Sequence, residues 1–62
     1  MKDKIRPIVC DAIEKIVLTS GTNEQGAMRD IITEIMQICD EKKLNFEFLL
    51  GGATEVYEEE KT

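Results

Sequence analysis

A chain of 62 residues has room for one domain and too little interior for a large enzyme's closed pocket, since a domain this small hides only about 60% of its unfolded surface. At 42% hydrophobic and 34% charged residues it is too apolar to stay disordered, and its apolar runs are too broken by charge to cross a membrane. Thirteen acidic against eight basic residues give a net charge of −5, and no His is present, which argues against binding nucleic-acid phosphates and removes the commonest catalytic base.

The opening Met1-Lys2-Asp3-Lys4-Ile5-Arg6-Pro7 places charges where a secretory leader needs an apolar stretch, so a cytoplasmic chain with reduced thiols is expected. Residues Ile5, Ile8, Val9, Ala12, Ile13, Ile16 and Val17 then recur at three-and-four spacing, which predicts a first helix over about 6–18. Pro7 suits its first turn, where a missing N–H costs nothing, and Asp11 and Lys15 lie one turn apart as a favourable pair. Ser20-Gly21 ends it.

Thr22-Asn23-Glu24-Gln25 has a Thr three residues before a Gln, the spacing of a capping box, and predicts a second helix over about 23–41. Met28, Ile31, Ile32, Ile35, Met36, Ile38 and Cys39 form its apolar face, an arc of about 160°. Lys42 and Lys43 close it with charges suited to the negative end of the helix dipole.

The third segment contains Gly51-Gly52, which permits two readings. As a hairpin with a two-residue turn, its return strand would put Val56 and Tyr57 on opposite faces and Glu55 across from Phe48. As a helix capped by Asn45 over about 45–59, it gathers Phe46, Leu49, Leu50, Ala53, Val56 and Tyr57 within about 120°. The helix is preferred, although the glycines cost about 2 kcal/mol and allow a kink or break there. The tail 58–62 sets Glu58, Glu59 and Glu60 at the disfavoured end of the dipole and is expected to fray.

The resulting expectation is a single all-α domain of three helices spanning 1–62, with an α+β fold ending in a hairpin as the alternative. Apolar faces this broad exceed what one neighbouring helix covers, so a homodimeric helical bundle is expected, as two-fold dimers are the commonest assembly. Ile31, Ile35, Ile38 and Cys39 of the second helix, with Ile13 and Val17 of the first, are its candidate interface residues. The same stripe could instead serve as a groove for a foreign helix.

Chemistry finds little support. Cys10 and Cys39 are too far apart in sequence for a Cys-x-x-Cys motif or the short paired spacing of a zinc site, and inert packing of both is expected. Asp40-Glu41 is followed by two lysines, which breaks any calcium loop, and Gly51-Gly52 lacks the Lys-Ser or Lys-Thr of a phosphate loop. No catalytic residue, metal ligand or cofactor is assigned, and the chain is expected not to be an enzyme. Ile35 to Leu50 resembles the first half of a helix-turn-helix domain, yet Gly51 onward offers Thr54, Glu55 and glutamates where base-reading side chains would stand.

Charge is uneven. Residues 1–22 carry four basic and three acidic residues (+1), and residues 23–62 carry four basic and ten acidic (−6). The functional expectation is therefore a small acidic interaction module that regulates or inhibits a protein partner by covering its surface. The alternatives are an acidic competitor of nucleic acid for a basic groove, through Glu55, Glu58, Glu59 and Glu60, and a helix-turn-helix regulator.

Overall fold

The first apolar stripe forms α1, Lys2–Ser20. It starts four residues earlier than the periodicity implies, so Pro7 lies inside the helix instead of in its first turn. The hydrogen bond that Pro7 cannot donate is the one to the carbonyl of residue 3. The computed structural model describes residues 2–61, and side chains from residue 4 to residue 61. At the other end Gly21 adopts φ 73° and its N–H donates to the Val17 carbonyl at 2.9 Å, a left-handed stop that a residue with a Cβ would resist. The anticipated ion pair between Asp11 and Lys15 does not form.

The second helix, α2, runs Glu24–Lys42. Its cap is Asn23 and not the anticipated Thr22: the Asn23 Oδ1 accepts from the Gly26 N–H at 2.8 Å. Gly26 makes this arrangement fit, because a Cβ there would run into the Thr22 hydroxyl. The helix closes with Lys43 at φ 60°, where the Leu44 N–H reaches the Cys39 carbonyl at 2.8 Å and the Lys43 N–H reaches Asp40 at 3.3 Å. This is a Schellman stop built on a lysine. Replacing Asn23 with Ala is expected to lower stability by about 1 kcal/mol, seen as a lower urea midpoint at fixed protein concentration.

The third helix, α3, spans Phe46–Lys61, and its cap is Asn45, whose Oδ1 accepts from the Phe48 N–H at 3.0 Å. It passes through Gly51-Gly52 as helix, and no strand occurs among the described residues, so the hairpin alternative is overturned. One helical face gathers the apolar residues that a hairpin would have split. The helix continues through the acidic run as far as Lys61; Thr62 lies outside the described residues. Lys61 supplies the cation that this helix end favours, and its Nζ sits 5.4 Å from the centre of the Tyr57 ring one turn back.

These helices make an open arrangement. Helix α2 touches both neighbours, whereas α1 and α3 do not meet. The Cα radius of gyration is 13.2 Å, against about 10.6 Å for a compact domain of this length. The molecule is a slab of 32 × 31 × 17 Å. Only Ala27 and Cys39 are buried among the described residues, and no large side chain is fully enclosed.

Candidate interaction surface

Three-and-four spacing gives each helix an apolar face, and the way the helices cross decides which part of it turns inward. Ile13, Ile16 and Val17 of α1 are half-buried, as is Ile31 of α2, so the covered part of α1 is its carboxyl-terminal half. Its amino-terminal half is bare: Ile5 is 61% exposed and Ile8 68%. On α2, Ile35 and Ile38 stay 37% and 44% exposed, in line with Ile32 and Met36.

The anticipated interface set therefore divides. Ile35 and Ile38 lie open to a partner, Ile13, Val17 and Ile31 are partly taken up within the chain, and Cys39, at 3% exposure, is already enclosed by its own chain. Within the single chain Cys39 is a core residue, in keeping with the inert packing expected of it. Cys10, expected to be buried, is exposed, and both thiols are free. A thiol-specific disulfide reagent should accordingly modify Cys10 in the native protein, and reach Cys39 only at the rate at which the structure opens. Equal rates would show that the enclosure of Cys39 does not persist in solution.

Ile5, Ile8 and Val9 belong to the first stripe by their spacing and lie outside the candidate interface set. Nothing in their spacing marks them as the uncovered half, since that follows from the splay of α1 away from α2. Between α1 and α2 an open groove of about 600 Å³ is lined by the apolar Ile13, Val17 and Met28 and the acidic Asp11, Glu14 and Glu24.

Acidity collects on α3. Glu55, Glu58, Glu59 and Glu60 are all exposed. Opposite the apolar face of this helix stands Phe48, 85% exposed, sharing a shallow surface with Glu47, Gly51, Gly52 and Glu55. That side of α3 carries the carboxylates of Glu47 and Glu55. The ion pair of Arg29 with Asp30, at 3.1 Å, is exposed and adds little to stability.

Among the described residues there is no group of three or more His, Cys, Asp or Glu able to hold a metal ion, and no helix is long and apolar enough to cross a membrane. No protein-family model, no curated protein and no solved structure matches the chain.

Proposed function

We propose that this chain is a non-enzymatic helical interaction module that works as a homodimer and presents an acidic outer face to a protein partner, regulating that partner by covering its surface. The observation that carries the dimer is the uncovered area. The single chain exposes 5728 Å², whereas a compact monomer of 7.1 kDa exposes about 4,100 Å². If each of two chains hid the difference, their interface would bury about 3,200 Å² in total, within the range of obligate homodimers. Ile35 and Ile38, with Ile32 and Met36 beside them, supply its α2 contribution.

Support for the outer face comes from Phe48. An aromatic ring standing between Glu47 and Glu55 is an anchor ringed by carboxylates, suited to a basic surface with an apolar socket. The same charge supports a narrower version, competition with nucleic acid for a basic groove. Sedimentation equilibrium at micromolar concentration tests the assembly: a species of twice 7.1 kDa is expected, and a monomer at every concentration would overturn it.

A further inference from the structure

We infer that the dimer is closed by α3 of each chain lying antiparallel along the bare amino-terminal half of the partner's α1, with the acidic end of one helix against the basic end of the other. The occupant of each face is a second copy of this chain, and the inference rests on the dimer proposed above. Three observations converge on it.

The first is matching spacing. Along α1, Ile5, Val9 and Ala12 follow at intervals of four and three; along α3 taken backward, Tyr57, Ala53 and Leu50 follow at the same intervals. All six are exposed. Antiparallel alignment sets Ile5 against Tyr57, Val9 against Ala53 and Ala12 against Leu50, so that apolar meets apolar along about two turns.

The second is charge. The same register brings Arg6 to the carboxylate of Glu58 on one flank and Lys4 to that of Glu60 on the other. Within one chain both clusters are misplaced, since bases at the amino end of α1 and acids at the carboxyl end of α3 each oppose their own helix dipole. Bringing those ends together relieves both. Lys61 cannot neutralise the acids fully, being one cation already turned onto the Tyr57 ring.

The third is topology. The bare half of α1 and the apolar face of α3 are both left largely uncovered inside the chain. The two helices do not touch within the chain. A two-fold axis supplies the antiparallel orientation and makes the contact twice.

A charge-swap cycle read by sedimentation equilibrium tests this. One variant carries Lys4→Glu and Arg6→Glu, the other Glu58→Lys and Glu60→Lys; all four positions are exposed, and circular dichroism checks that helicity survives at high protein concentration. Each variant alone should self-associate about tenfold or more weaker than the parent, and an equimolar mixture should regain the parent affinity as a heterodimer, because both of its contacts again join opposite charges. The rescue should shrink as salt is added. A parent that dimerises while both variants dimerise equally well, or a mixture no tighter than its components, overturns the pairing and leaves the dimer standing. A monomeric parent overturns both.

Discussion

Ile35→Asp should abolish self-association at concentrations where the parent is dimeric, weakening it at least about 100-fold. In the isolated chain Ile35 is 37% exposed, so an aspartate there can turn its carboxylate to water. In the dimer the substitution buries an unpaired carboxylate twice, once per protomer, and that penalty runs to several kcal/mol. The size of the effect therefore distinguishes a covered Ile35 from an open one. Ile35→Met keeps volume and apolarity and should leave the dimer intact. Gln37→Asp, on the exposed polar side of α2, adds the same charge and should change association by less than about threefold. If Ile35→Asp behaves like Gln37→Asp, the α2 stripe is not an interface.

A chain whose described core is Ala27 and Cys39 has little to hold it together alone, so folding and association should be one event. Loss of the dimer in Ile35→Asp is then accompanied by loss of helicity on dilution, and the parent's thermal midpoint rises with protein concentration. On the proposed dimer, three helices that barely enclose anything in one chain would share their interior between two copies.

The helices were legible because periodicity and stop signals agree. Asn45 ahead of Phe46 and Gly21 after Ser20 are residue types whose geometry leaves few alternatives, and both act as read. Thr22 and Asn23 are both residue types that cap helices, so their adjacency leaves the first residue of α2 open by one position in the sequence, and the structure gives the cap to Asn23. The inward half of each stripe was not legible at all. Spacing tells which side of a helix is apolar, whereas the crossing of α1 and α3 over α2 determines whether Cys39 or Ile38 is covered. Cys10 shows the same limit from the other side. It stands at the margin of its arc, where a small rotation of α1 separates buried from exposed.

Gly51→Ala combined with Gly52→Ala should stabilise the protein by about 2 kcal/mol, close to 1 kcal/mol from each glycine removed from a helix interior. Both positions are helical, neither has the positive φ that needs glycine, and an added Cβ at either meets no atom within 4 Å. The two share the outer side of α3 with Glu47, Phe48 and Glu55, away from the face formed by Leu49, Ala53 and Val56. The methyl groups therefore point away from the proposed α1 contact, and the gain should appear as a higher urea midpoint with the assembly state unchanged at the same protein concentration. The variant should also hold Phe48 and Glu55 in a firmer helical frame without altering their charge. A loss of stability, or a change in assembly, would mean that another surface approaches the glycines closely, and the outer side of α3 would then have to be counted as part of the dimer instead of the face offered to a partner.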